Sequence, residues 1–248
     1  MDFSFLCTDT AFTTEMVPGC FGSGRVESVL NLLVNAFGNT VLLSFTALIL
    51  AIIFGVIIGT LRTLPNSKVL PFIAKVWIEF YRNIPLIVQL FLWYHVIPHM
   101  FPWTKDILSP FQLAMFGLGL FTSARIAEQV RAGIESIPTG QRYAGMAMGF
   151  TTWQTYRHVL LPRAMRTIMP PLTSEAMGIV KNSGAAYAVG VAEMLAFAKN
   201  SIDITSQPEM TYLVVTILYV LLALIIYVVM VFIDRKIRIP GLTQGGAS

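Results

Sequence analysis

Five long apolar runs dominate the chain, at residues 29–61, 69–97, 111–132, 171–197 and 210–233. Each is near the roughly 20 residues that a helix needs to cross a bilayer. In lipid, only helices and closed barrels satisfy all their backbone polar groups, and apolar runs of this length read as helices. The first run is long enough to begin outside the membrane and tilt. The second is interrupted by Arg82-Asn83-Ile84-Pro85. Pro85 lacks an N–H and crowds the preceding turn, which predicts a kink or an opening over residues 81–85. A broken membrane helix offers free backbone groups to a polar ligand. The alternative is a kink at the membrane edge with Arg82 reaching the interface.

One polar stretch, 139–166, stands apart from the runs. Its spacing predicts two short helices joined by a turn. Pro138 marks the boundary before it, and Gly149 is placed as the left-handed residue that closes the first helix. Thr151 and Gln154 have the T-x-x-Q spacing of a capping box, which starts the second helix. That helix is expected to end at Pro162. Arg142, Arg157, His158, Arg163 and Arg166 make the stretch basic, and it holds no Asp or Glu. A compact basic helix pair between membrane segments suits a docking surface for a soluble partner. The flanking membrane segments argue against a DNA-reading helix-turn-helix, so no nucleic-acid partner is expected. No internal repeat or low-complexity linker is visible. The expected organisation is an outer tail at 1–28, one transmembrane domain at 29–240 that contains the 139–166 loop, and a cytoplasmic tail at 241–248.

Of the 248 residues, 55% are hydrophobic and 12% charged, where a soluble domain carries about 25% charged residues. The mean hydropathy is +0.70. The fold class these values predict is an all-α polytopic membrane protein of about five transmembrane helices, with lipid as a direct partner. Residues 1–28 hold neither an apolar core nor a basic start, so no cleavable signal peptide is expected. The net charge of +4 matters less than its placement. With the N-terminus outside, 13 of the 17 Lys and Arg residues fall on the inner side, in groups at 62–82, 125–166 and 235–238. Only Arg25, Lys105 and Lys199 fall outside, and Lys181 lies within a run. The positive-inside rule then gives N-terminus out, C-terminus in, and a cytoplasmic 139–166 loop. Cys7 and Cys20 share the outer tail, where they either pair or remain free thiols.

Catalytic chemistry is not legible. The phosphate-loop pattern G-x-x-x-x-G-K-[ST] is absent, and the dipeptide Gly-Lys does not occur. His95 and His99 are four apart, but Pro98 lies between them at a helix end, so no metal site is assigned. No nucleophile-base pair is readable, and no cofactor is expected in this chain. Arg125, Glu128 and Arg131 stand three apart and are expected to form a chain of pairs on one helix face.

The polar stretch resembles the cytoplasmic coupling loop of ABC importer permeases, whose pattern is E-A-A, a glycine, then I-x-L-P. Tyr143-Ala144-Gly145 stand where E-A-A would be, with Ala147 following. Gly149 stands at the glycine, and Val159-Leu160-Leu161-Pro162 at I-x-L-P. Tyr143 for Glu and Gly145 for Ala are departures from the pattern. The segment from Arg82 and Asn83 through Pro85 to Gln89 is similar to F-R-N-x-P-L-x-V-Q of permeases for polar amino acids. Residues 119–131 and Thr173-Ser174-Glu175 with Val180-Lys181-Asn182-Ser183 are similar to the same group. The likeness covers roughly residues 36 to 240 and is greatest to permeases of glutamate/aspartate importers.

The resemblance implies a multi-pass subunit of the cell inner (plasma) membrane that imports polar, acidic amino acids. It implies ABC ATPase subunits that bind the ATP, a second permease chain, identical or homologous, and a periplasmic or extracellular amino-acid-binding protein. Tyr143, Ala144, Gly145, Ala147, Gly149, Leu161 and Pro162 would couple to the ATPase. Arg82, Asn83, Pro85, Gln89, Glu175, Lys181, Asn182 and Ser183 would line the substrate pathway. Lys181, ten residues into the fourth run, would sit about 15 Å along the helix, near mid-bilayer. There an ammonium is expected to face the protein interior and have a partner, either an acid on another helix or a substrate carboxylate. Three alternatives stay open: a secondary amino acid transporter, a membrane-tethered sensor, and an ABC permease for basic amino acids, glutamine or cystine.

Overall fold

The computed structural model describes residues 4–7, 28–65 and 67–237, and the regular structure of these residues is helical. Helix α1 spans Val29–Arg62 and α2 spans Val69–Asn83. Helix α3 spans Leu86–Met100, and α4 is the single turn Thr104–Ile107. Helix α5 runs Pro110–Glu135 and α6 Thr139–Ala147. Helix α7 covers 152–167, α8 Met169–Ser183, α9 Met194–Thr205 and α10 Pro208–Ile237. By length and composition α1 and α10 are long and apolar enough to cross a membrane. Cys7 is disulfide-bonded, and the one other cysteine of the chain, Cys20, lies outside the described residues. Most of the expected tail at 1–28 and all of that at 241–248 also lie outside them.

Two of the expected runs are not single helices. The second separates into α2 and α3 because Ile84 is extended (φ −100°, ψ 130°), as the residue before a proline prefers. The fourth breaks after Ser183. A 3₁₀ segment at Gly184–Val189 follows, and Gly190 at φ +80° turns the chain into α9. Only glycine takes that conformation without strain, so the run's apolar composition concealed a reversal.

The chain forms two compact units. The first comprises Met1–Ala47, Leu86–Leu118 and Ile179–Leu224. Within it α3 packs on the Gly184–Val189 segment, and Trp93 stacks on Phe116 with ring centroids 5.5 Å apart. Ser109 and Gln112 form a capping box at the start of α5: the Gln112 side chain accepts from the Ser109 N–H at 2.8 Å, and Ser109 Oγ from the Gln112 N–H at 3.3 Å.

The second unit comprises Leu48–Pro85, Gly119–Gly178 and Ile225–Ser248. Its core gathers Ala51 of α1, Ile126, Val130 and Ile134 of α5, Tyr156, Leu160 and Ala164 of α7, Leu172 and Ala176 of α8, and Met230 of α10. Close approach of α1 and α5 rests on Gly55 and Gly59, four apart on one face. A Cβ at Gly55 would lie 2.5 Å from Ile126 Cγ2, and one at Gly59 2.5 Å from the Ala127 carbonyl oxygen. Small residues at this spacing let helix backbones touch where no hydrophobic effect drives them together.

Candidate functional site

Helices α6 and α7 form the helix-turn-helix expected of the 139–166 stretch. Gly149 has φ +81°. Its N–H donates to the Met146 carbonyl (2.9 Å) and the Phe150 N–H to the Gly145 carbonyl (3.1 Å), the two bonds of a Schellman cap. The Thr151 hydroxyl accepts from the Gln154 N–H at 3.3 Å, and the Gln154 side chain accepts from the Thr151 N–H at 2.8 Å, completing the capping box. Helix α7 does not end at Pro162. A π-helical turn at Tyr156–Leu160 precedes the proline, and the Leu161 N–H donates back to the Tyr156 carbonyl. The extra residue of that turn makes room for a ring that donates no hydrogen bond, so the helix continues to Thr167. A π-helical turn at Leu92–Val96 precedes Pro98 in the last turn of α3 in the same way.

The helix pair sorts its residues by face. Tyr143, Met146, Met148 and Trp153 are more than half exposed, and Ala144, Ala147, Gly149 and Pro162 are also exposed. Gly145 is buried beneath Thr155, and Leu161 packs on the core. The pair is fastened to α1 by Tyr156, whose hydroxyl donates to the Thr63 carbonyl at 2.6 Å.

Polar side chains of the second unit pair differently from the expectation. Arg131 bridges Glu128 (2.9 Å) and Glu135 (2.5 Å), and Arg82 lies 4.0 Å from Glu128. Arg125 does not join Glu128. It reaches Glu175 of α8 at 3.4 Å, and Gln129 donates to the same carboxylate at 3.2 Å. The i,i+3 spacing allowed an intrahelical pair, but Arg131, flanked by two acids, takes Glu128 and leaves Arg125 to α8. Asn83 donates to Glu79 at 3.0 Å.

Of the eight expected pathway residues, Arg82, Asn83, Pro85 and Glu175 belong to the second unit. Gln89, Lys181, Asn182 and Ser183 belong to the first. Gln89 and Ser183 are buried, and Asn182 is half-buried. Ser183 donates to the Val180 carbonyl at 2.7 Å. Lys181 is exposed and makes no ion pair among the described residues, so of its two expected partners the acid on another helix is not met there.

The first unit also holds a buried polar knot that residue spacing does not reveal. The Glu193 carboxylate caps α9, accepting from the Leu195 and Ala196 N–H groups at 2.9 Å each, and Tyr219 of α10 donates to it at 2.8 Å. Glu193 is wholly buried. Nearby, Asn39 donates to the Ala192 carbonyl at 2.8 Å, and Thr40 accepts from the Met194 N–H at 3.1 Å. The readable signal was an acid inside an apolar run, which needs internal partners.

The described residues thus set a basic helix-turn-helix among apolar helices, two of them long enough to cross a membrane. Residues 51–239 match the family described as binding-protein-dependent transport system inner membrane component. The chain is 44% identical over 221 residues to the glutamate/aspartate import permease protein GltJ of Escherichia coli K12, covering 86% of this chain and 89% of that one. It is 34% identical over 208 residues to the probable amino-acid permease protein YxeN of Bacillus subtilis, covering 84% and 92%. A solved amino acid ABC transporter with histidines superposes with TM-score 0.70 at 25% identity, over 84% of this chain and 94% of that one. The chain belongs to the binding-protein-dependent transport system inner membrane component family. It is therefore the permease subunit of an ABC importer, which works with separate ATPase subunits.

Proposed function

We propose that the chain is the permease for acidic L-amino acids, glutamate and aspartate. The observation that carries this reading is the 44% identity, across nearly the whole chain, to a glutamate/aspartate import permease. The residues 29–240 form one transmembrane permease domain, with the N-terminal tail outside and the C-terminal tail in the cytoplasm. The 13-to-3 distribution of Lys and Arg supports that orientation. A binding protein outside delivers substrate, and a second permease chain, identical or homologous, completes the pathway.

The exposed face of α6, with Tyr143, Ala144 and Ala147, seats in the ATPase. Gly145, Gly149, Leu161 and Pro162 hold the helix pair in shape behind it. ATP-driven closure of the ATPases then favours one of two pathway states over the other. Arg82, Asn83, Pro85, Gln89, Glu175, Lys181, Asn182 and Ser183 are assigned to the pathway and its supports. Lys181 is the cation that meets the substrate carboxylate, which is consistent with its exposure and with its making no ion pair among the described residues.

Reconstitution in proteoliposomes with the ATPase subunits, binding protein and any second permease chain tests the reading. Uphill uptake of labelled glutamate should need the ATPase and be competed by aspartate. Competition by arginine or histidine but not by glutamate would reject the substrate class. Uptake without the ATPase would reject ATP coupling.

A further inference from the structure

We propose that the second unit binds one anionic phospholipid, its headgroup phosphate held between Arg62 and Arg142 and an acyl chain laid along α2. A cavity of about 380 Å³ lies where α1 and α5 end, with Arg62, Thr63 and Arg142 on its polar side. Leu64, Pro71 and Ile137 form part of its apolar wall. Glu135 also borders it, but that carboxylate is engaged by Arg131 at 2.5 Å. Arg62 and Arg142 are half-buried and make no ion pair or side-chain hydrogen bond among the described residues. Two partly desolvated guanidinium groups without acceptors suit a phosphate, whose oxygens accept the paired N–H groups.

Two further features select a lipid from other phosphate carriers. Arg62 is the last residue of α1, an apolar helix long enough to cross a membrane, so the cavity lies at one end of that helix, within reach of lipid headgroups. The adjoining helix also carries an apolar groove of about 430 Å³, lined by Phe72, Ile73, Val76, Trp77, Phe80 and Tyr81. Pro71 lines the cavity and the next residue, Phe72, lines the groove, so α2 offers both halves of an amphipathic ligand a place. Free phosphate or a nucleotide would satisfy the arginines and leave the groove unused. A helix of a second copy would fill the groove and leave the arginines without an anion.

The test uses the complete transporter in phosphatidylcholine nanodiscs containing a photoactivatable phosphatidylglycerol. Crosslinked peptides are then mapped by mass spectrometry. Adducts should fall on 62–81 and 134–142 and be competed by unlabelled phosphatidylglycerol but not by inorganic phosphate. Arg62→Gln and Arg142→Gln should each lower the adduct yield about fivefold, the change expected for one cation at a lipid surface. Glu135→Gln should raise it, and this variant decides the matter if an arginine variant fails to assemble. An equal yield from photoactivatable phosphatidylcholine would overturn the proposal. So would displacement by inorganic phosphate, α2 crosslinked to a second copy in place of lipid, or an unchanged or lower yield in Glu135→Gln.

Discussion

Tyr156 donates its hydroxyl to the Thr63 backbone carbonyl at 2.6 Å, although 93 positions separate the two residues. Tyr156 is 2% exposed and sits in the π-helical turn of α7, and Thr63 directly follows the last residue of α1. One hydrogen bond thus joins the α6–α7 helix pair to the end of a helix long enough to cross a membrane. Tyr156→Phe keeps the ring and removes the bond, at a cost of about 1 kcal/mol. The purified complex should melt at a lower temperature and still hold its ATPase subunits, and uptake per ATP hydrolysed should fall. An unchanged Tm together with unchanged coupling would show that the bond does not matter.

Gly149 and Gly145 should respond in opposite directions to the same substitution. Gly149→Ala places a Cβ in open space but at φ +81°, a backbone cost of about 1–2 kcal/mol. Gly145→Ala puts a Cβ 3.4 Å from Thr155 in ordinary contact and replaces a helical glycine, a gain of about 0.5–1 kcal/mol. Thermal melts of the two variants check the pair, and loss of uptake should accompany Gly149→Ala alone. Equal effects of both would contradict the cap geometry.

Gly59 is a packing residue rather than a turn residue. A Cβ there meets the Ala127 carbonyl oxygen at 2.5 Å and Val130 Cβ at 2.7 Å, so α1 and α5 must separate. Gly59→Val should lower folded yield and Tm, and Gly38→Val should not, because nothing lies within 4 Å of a Cβ at Gly38. Size-exclusion profiles and melts of both variants in detergent would decide this.

Glu193→Ala removes the acceptor of two backbone N–H groups and of the Tyr219 hydroxyl, all in a buried setting. The expected loss exceeds about 2 kcal/mol. Glu193→Gln keeps one acceptor oxygen and should lose less, and Tyr219→Phe least of all. A melt series in any other order would contradict the assigned network.

Lys181→Met should preserve assembly and basal ATPase activity and abolish uptake, because the exposed ammonium makes no ion pair among the described residues. Normal transport by this variant would exclude a pathway role, and failure to assemble would assign the lysine to a contact with a second chain.

The sequence by itself determined the features that local backbone chemistry controls. Gly149 as a left-handed cap, the Thr151–Gln154 capping box and the break before Pro85 each follow from what one to four neighbouring residues can do. The all-helical membrane class followed from run length, because lipid leaves the backbone few other choices. The Ser109–Gln112 box and the Gly55–Gly59 spacing are equally local. What the tertiary structure decided was how groups with several possible partners choose among them. Arg125 took Glu175 on α8 because Arg131 already held Glu128. Glu193 caps α9 locally, but its carboxylate gained a third donor in Tyr219, 26 positions away on another helix. Such choices depend on distances between segments remote in the chain, which residue spacing within a segment does not contain.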